Sequence, residues 1–479
     1  MKMKKNYLRT LACALLIPAF SQAQVITFQK IYAATIHESG KDVLQTPDGG
    51  YIIAASTETS IPNDLDVMIV RTNNLGDTLW RKKFGGNMPD VPNGILRAND
   101  GNYFVIGFTQ STTSGDVDHF LLKIDQLTGA AIFTKTYGGY GYEEGKEIIA
   151  TSDGNYMIVG ASNSISFSDN NAELIKIDPS GNVIWTKYYG GPDYESARSV
   201  KQCADGGFIV AGKRLNSAGM SSVYLIRTNS GGDTLWTKLY SGGSASWESK
   251  SILVNADGSY TLTADDSTVT NDSDVRIMHF DPAGNMDWTK LYGGTDKDIS
   301  KMIQPTTDGG YIVSALSRSF GWIDPDYWIL KLNSAGDTLW TRHYGGTDHE
   351  HCYAVRQTAD GGYIAVGHSR SNPSRVEEIM LIKMNASGTL DPLGVSEEKF
   401  ADGFYMYPNP SGGNVELYLP DLKGTAQCRI VNMLGQVVYD KKVDTNDRLA
   451  LDLGNNPPGV YHVSLISGEQ RITRKLVIN

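Results

Sequence analysis

Short apolar runs return along this chain at a nearly constant interval. YIIAA (51–55), YFVIGF (103–108), YMIVGA (156–161) and FIVAG (208–212) each follow a turn that begins Asp-Gly. That Asp stands at 48, 100, 153, 205, 257, 308 and 360, so neighbours are 52, 53, 52, 52, 51 and 52 residues apart. An aromatic position keeps the same period: Phe28, Trp80, Phe133, Trp185, Trp236, Trp288 and Trp340, most often opening Trp-Thr-Lys-x-Tyr. A fixed period of this size marks a propeller or solenoid of small repeated sheets.

Each unit carries four strand signals. In the fourth they are SARSVKQ (196–202), GFIVAGK (207–213), VYLIRT (223–228) and DTLWTKLY (233–240). Asp-Gly between two short runs predicts a hairpin turn. A D/N-x-x-G link joins the third strand to the fourth, as in Asp178–Gly181, Asn229–Gly232, Asp281–Gly284 and Asn333–Gly336, which predicts a type I turn closed by a left-handed Gly. The second and third strands are almost wholly apolar, as strands covered on both faces are. A blade packed between two others meets that condition, and no single four-stranded sheet can.

The seventh unit stops after its third strand, at IMLIKMNASGTLD, while the N-terminal part holds a lone fourth strand, VITFQKIY. The N-terminal strand is therefore expected to pair with residues 379–385 and complete the last blade, removing two open sheet edges. The predicted fold is all-β: a seven-bladed β-propeller over 24–392, a polar linker at 393–404, and a small Ig-like β-sandwich over 405–479, whose short alternating strands begin at VELYLP and end at ITRKLVIN.

Lys2, Lys4, Lys5 and Arg9 followed by LACALLIPAF read as a secretory signal over 1–23, cleaved before Gln24. Its removal takes four positive charges and no negative ones, moving the formal charge from −10 to −14. An acidic mature surface argues against nucleic acid. No apolar run reaches the ~20 residues that span a bilayer. Three widely spaced cysteines remain, Cys203, Cys352 and Cys428, which is no disulfide framework. A monomer is expected.

Tyr407-Pro408-Asn409-Pro410, the NMLGQVVY run (432–439), Leu451 and Leu453, Pro458 to Tyr461 and the final KLVIN resemble the type A C-terminal sorting domain of the type IX secretion system. The resemblance implies passage through the periplasm, translocation across the outer membrane by the type IX machinery, and release or attachment at the cell surface. The stretch IDPSGNVIW (177–185) is similar to the tryptophan-docking repeats of pyrroloquinoline quinone enzymes, which are structural, and no quinone is inferred.

Ten residues before the motif Asp stands an acid in six units: Glu38, Asp90, Glu143, Glu195, Asp298 and Glu350. The fifth unit has Trp247 there, with Glu248 next. His37, Tyr142, Tyr194 and His349 precede some of them. Carboxylates beside aromatics, ringing one channel mouth, would suit sugar recognition. The other reading is that each acid caps its own loop by accepting backbone N–H bonds. Asp-x-Asp recurs before the third strand at Asp64/Asp66, Asp116/Asp118, Asp272/Asp274 and Asp324/Asp326. Such pairs could coordinate Ca²⁺. They also lie near a recurrent cation (Arg71, Lys123, Lys331, with His279 in the fifth unit) and could be turn caps. His343, His349, His351 and His368 fall in the last unit, and His349-x-His351 is a candidate metal pair. No serine-hydrolase elbow or phosphate loop is present, so no catalytic residue and no cofactor is assigned. The expectation is an exported binding module for a glycan or an envelope or host protein. The alternatives are a polysaccharide hydrolase or lyase on the same scaffold and a purely structural surface protein.

Overall fold

The computed structural model describes residues 26–32, 36–61, 64–112, 116–164, 170–243, 245–267, 273–319, 324–371, 375–390, 405–407, 411, 413–418, 425–432, 435–444, 449–467 and 470–478. The expected signal segment, the linker at 393–404, and Asp272 lie outside these residues. Among them every regular element is a β-strand. The chain divides into two compact units, Met1–Leu393 and Gly394–Asn479.

The first unit is a β-propeller of repeated four-stranded antiparallel sheets. Six described sheets take four consecutive strands in chain order, such as Glu38–Gln45, Tyr51–Glu58, Leu65–Thr72 and Thr78–Phe84. A seventh joins Glu350–Gln357, Tyr363–Ser369 and Glu378–Met384 to the N-terminal strand Phe28–Tyr32. The register of that last pair runs from Phe28 opposite Lys383 to Tyr32 opposite Ile379. First strands of successive sheets lie side by side, and Glu350–Gln357 returns to Glu38–Gln45. Second and third strands are mostly buried, and wholly so in Tyr363–Ser369 and Glu378–Met384.

The periodic motifs are the joints of this assembly. The motif Asp pairs with a cation from the third strand of its own sheet: Asp48 with Arg71 at 2.5 Å, Asp100 with Lys123 at 2.8 Å, Asp205 with Arg227 at 2.6 Å and Asp308 with Lys331 at 2.9 Å. The recurrent cations thus answer the turn Asp. The aromatic of the outer strand lies on the turn of the next sheet. At Gly284 (φ +79°) an added Cβ would stand 2.6 Å from Trp236, and at Gly388 (φ +70°) 2.6 Å from Trp340. Only glycine takes that left-handed conformation freely while leaving room for the ring. Four residues after the aromatic, a Tyr hydroxyl donates to the same Gly carbonyl: Tyr137 to Gly181 at 2.8 Å and Tyr189 to Gly232 at 2.5 Å. The N-terminal strand makes this joint as well, with Phe28 against Gly76 and Tyr32 donating to Gly76 at 2.8 Å.

The second unit has two sheets. One holds Tyr405–Tyr407, Asn414–Tyr418 and Leu449–Asp452; the other holds, in spatial order, Val437–Asp444, Thr425–Asn432, Gly459–Ser467 and Gln470–Ile478. Val415, Leu417 and Leu451 from the first meet Cys428, Ile430, Val463 and Leu476 from the second in one core.

Candidate functional site

In five of the inner strands the opening acid is turned back onto its own approach loop. Gly86 N–H donates to Asp90 at 2.8 Å, Gly139 to Glu143 at 3.2 Å, Gly191 to Glu195 at 3.3 Å, Gly294 to Asp298 at 3.0 Å and Gly346 to Glu350 at 2.9 Å. Serines near the end of the second strand add to this: Ser111 to Asp90 at 2.9 Å, Ser162 to Glu143 at 3.1 Å, Ser319 to Asp298 at 2.6 Å and Ser369 to Glu350 at 2.5 Å. Glu38 pairs with Arg81 at 3.2 Å. All six carboxylates are buried. Their geometry is that of loop caps, which corrects the picture of a mouth ring offering free acceptors.

What the inner strands share next is a β-bulge. The register with the second strand skips one residue between Gly40 and Asp42, Pro92 and Gly94, Gly145 and Glu147, Ala197 and Ser199, Ser249 and Ser251, Ser300 and Met302, and Cys352 and Ala354. A bulge leaves its extra residue unpaired and re-aims that side chain. The residue before it is small or Pro for want of room: a Cβ on Gly40 would stand 2.5 Å from Val366, and one on Gly145 2.7 Å from Ile106, in the preceding sheet. The skipped residues are Lys41, Asn93, Lys146, Arg198, Lys250, Lys301 and Tyr353. All seven line one cavity of about 420 Å³. They occupy the position seven before each motif Asp, a column visible in the sequence once the repeats are aligned. Sequence reading passed over it because the preceding acid column is more uniform.

Seven cations and two carboxylates line this cavity, which makes it positive inside an acidic chain. Some cations are answered. Lys201 pairs with Glu147 at 2.6 Å and Arg356 with Asp42 at 3.0 Å. Glu248 sits between Arg198 at 2.5 Å, Lys250 at 3.3 Å and Lys213 at 3.5 Å. Burial alone would raise Glu248, but Lys250, Arg198 and Lys213 outweigh it and hold its carboxyl at about 2. Lys250 also reaches Asp265 at 3.1 Å, and Lys146 pairs with Glu144. Lys41 and Lys301 are different. Among the described residues neither has a carboxylate at ion-pair distance; their ammonium groups lie 4.4 and 5.6 Å from the centre of the Tyr353 ring. Burial pushes both down to about 8, and for Lys41 the neighbouring charge of Lys301 adds to this.

Beside this ring stands a polar cluster. Ser39 Oγ is 2.8 Å from Nδ1 of His368, and Nε2 of His368 is 3.8 Å from Glu377. His368 packs against His351 with centroids 4.9 Å apart. Burial pushes His368 down to about 2 and, with Lys301 beside it, His351 to about 4, so both rings stay neutral at physiological pH.

The other sequence candidates have separate surroundings. Tyr142 donates to Glu144. Tyr194 accepts from Asn170 at 3.2 Å. Trp247 is covered by the Arg276 guanidinium, 4.2 Å from its ring centre. Asp64 accepts from Thr59 at 2.7 Å, and Asp66 pairs with Lys83 at 2.7 Å. Asp118 and Asp326 are buried and pushed up, by that burial and by the neighbouring Glu143 and Glu350 respectively; Asp116 adds to the first and Asp324 to the second. Asp274 opposes Asp266 in the register of its sheet. His349 faces Asp348 at 3.0 Å and Asp324 at 3.4 Å, whereas His351 faces His368, so the His-x-His pair is split between two surroundings. Asp324, Asp348 and His349 bring ligand atoms within 4.8 Å of one another. His343 stacks on Trp328 at 6.0 Å.

In the second unit, Asn432 and Gln436 close a hairpin through Gly435 (φ +78°), and Tyr461 donates to the Pro457 carbonyl at 2.7 Å. Residues 405–479 match the family described as the secretion system C-terminal sorting domain. The chain carries a type IX sorting tail. The sorting domain accounts for the NMLGQVVY hairpin and the terminal strand, and it marks the protein for export to the cell surface or extracellular space. No curated protein sequence matches the chain. Solved structures match its fold. One is an ulvan lyase of a polysaccharide lyase family (10% identity, 76% of this chain, 98% of that one, TM-score 0.47). Another is a protein of unknown function from Dyadobacter fermentans (10% identity, 76% and 98%, TM-score 0.46). A third is the β-propeller domain of the trilobed protease from Pyrococcus furiosus (11% identity, 74% and 100%, TM-score 0.42). These are likenesses of fold alone.

Proposed function

We propose that the exported part of this cargo is a seven-bladed ring, closed by its N-terminal strand, that binds a glycan in its central channel, and that the sorting domain behind it is an Ig-like sandwich. The observation that carries the reading is the bulge column: seven inner strands each send one side chain, five of them cationic, into one cavity. Two of these, Lys41 and Lys301, have no carboxylate at ion-pair distance among the described residues. Tyr353 adds an aromatic face, and Gln304 adds an amide to the lining. The full exported protein, applied to a broad glycan array, is expected to show saturable binding that Tyr353→Ala reduces at least tenfold. Absence of saturable binding to any glycan, or binding indifferent to Tyr353→Ala, would count against the channel.

The enzyme reading has one observation in its favour, the neutral His351 beside Tyr353 with ring centres 6.2 Å apart. New chain ends appearing in the bound glycan would decide for it. For a divalent cation such as Ca²⁺, the group to test is Asp324, Asp348 and His349. A calcium-dependent rise in melting temperature that His349→Ala abolishes would support the site, and an unchanged melt would remove it.

A further inference from the structure

Resting on the channel reading, we infer that the ligand is anionic: the Lys41–Tyr353–Lys301 sector of the bulge ring is a subsite for a carboxylate or sulfate group on a glycan chain. Seven cations against two carboxylates leave a positive excess within the cavity. Arg198, Lys250 and Lys146 are already turned to Glu248, Asp265 and Glu144. The excess is therefore concentrated on Lys41 and Lys301, which flank Tyr353 on adjacent inner strands. Lys41 donates to Ser39 Oγ at 3.2 Å, but neither ammonium meets a carboxylate at ion-pair distance among the described residues; confining such a charge is unfavourable in the empty protein, and an incoming anion relieves that cost. Each half-buried lysine is faced by few opposing charges. Glu377 lies toward Lys41; Asp265 and Glu248 lie toward Lys301, where Lys250 and Arg198 oppose them. Tyr353, set between the two ammonium groups, offers a face on which a sugar ring can stack, which favours an anionic glycan over a free anion.

The test uses matched probes on the full exported protein. Oligogalacturonate and its fully methyl-esterified form share one backbone and differ in charge; dextran sulfate, poly-glutamate and inorganic sulfate complete the set. The expected result is saturable binding of oligogalacturonate or dextran sulfate and at least tenfold weaker binding of the ester. Lys41→Met and Lys301→Met should each lose about thirtyfold or more. Lys301→Arg should retain most affinity, as should Lys82→Met on the exposed outer strand. Affinity should fall as pH rises from 7 to 9, because both ammonium groups discharge near 8. Equal binding of acid and ester, untouched by the lysine variants, would overturn the anionic subsite while leaving a channel that binds neutral glycan. No binding by any glycan, charged or neutral, would overturn the channel reading itself. Poly-glutamate or free sulfate binding as tightly as the acidic glycans would overturn the glycan assignment.

Discussion

Two columns of residues lie three positions apart on the same inner strands, and they behave oppositely. The opening acids, such as Glu143 and Glu350, are buried and fully engaged by glycine N–H groups and serine hydroxyls of their own loops. The bulge residues are released from the ladder and face a shared cavity; Lys146, Arg198 and Lys250 meet carboxylates there, whereas Lys41 and Lys301 have no carboxylate partner among the described residues. The first column is nearly uniform because five of its members close the same loop onto a glycine N–H. The second varies, Lys, Asn, Lys, Arg, Lys, Lys, Tyr, because nothing in the blade dictates it. A recurrent charge with partners is part of the scaffold. A recurrent charge without them asks for a ligand.

The comparison presumes a closed ring, so the largest expected effect comes from opening it. Deleting residues 24–33 removes the outer strand of the seventh sheet and the Tyr32–Gly76 and Phe28–Gly76 joints to the first. Limited proteolysis and size-exclusion chromatography should show a protease-sensitive or aggregating product; a stable monomer with intact cooperative melting would break the closure argument. Next in size is Glu143→Ala, which leaves Gly139 N–H and Ser162 without their acceptor. Stability should fall by about 2–3 kcal/mol in denaturant melts, with channel affinity unchanged below the melt. A loss of affinity with stability intact would merge the two columns.

A smaller effect concerns Asp326, whose carboxyl is pushed up by burial and by Glu350. The folded state then holds a proton that the unfolded chain releases at lower pH, so stability falls as pH rises above the ordinary Asp range. Asp326→Asn should flatten that slope in melts between pH 4 and 7. The smallest effect is at the bulge. Lys41 and Lys301 discharge near 8 when folded against an ordinary 10.5, so between those values the unfolded chain binds more protons and stability rises with pH. The double Lys→Met variant should lose this rise and melt no lower than the parent at pH 7.

Much of the first unit is legible in the sequence, for a physical reason. Blades stack with one period, so the Asp-Gly turn, the aromatic and the Tyr that follows must recur with it, and the missing fourth strand of the last unit points to Phe28–Tyr32. The expected pairing with 379–385 and the observed Ile379–Lys383 register agree within two residues. The sorting tail is legible because its motifs fall in order over 405–479. The site is less so. An acid at a strand start looks like a ligand-binding group until its loop is folded back onto it. A lysine in a mixed-polarity strand looks like an ordinary solvated residue until a bulge aims it inward. Bulges depend on register between strands, which alternation of residue types does not encode at one-residue precision. The cations near the Asp-x-Asp pairs, Arg71, Lys123 and Lys331, answer the turn Asp, a pairing between strands that sequence spacing does not specify.

The central claim is that the bulge column binds and the acid column holds. It is tested most directly by measuring melting temperature and oligogalacturonate affinity on the same two proteins, Lys301→Met and Glu143→Ala. The account predicts lost affinity with an unchanged melt for the first, and a lowered melt with unchanged affinity for the second. The reverse pattern, or affinity lost in both to the same degree, would contradict it.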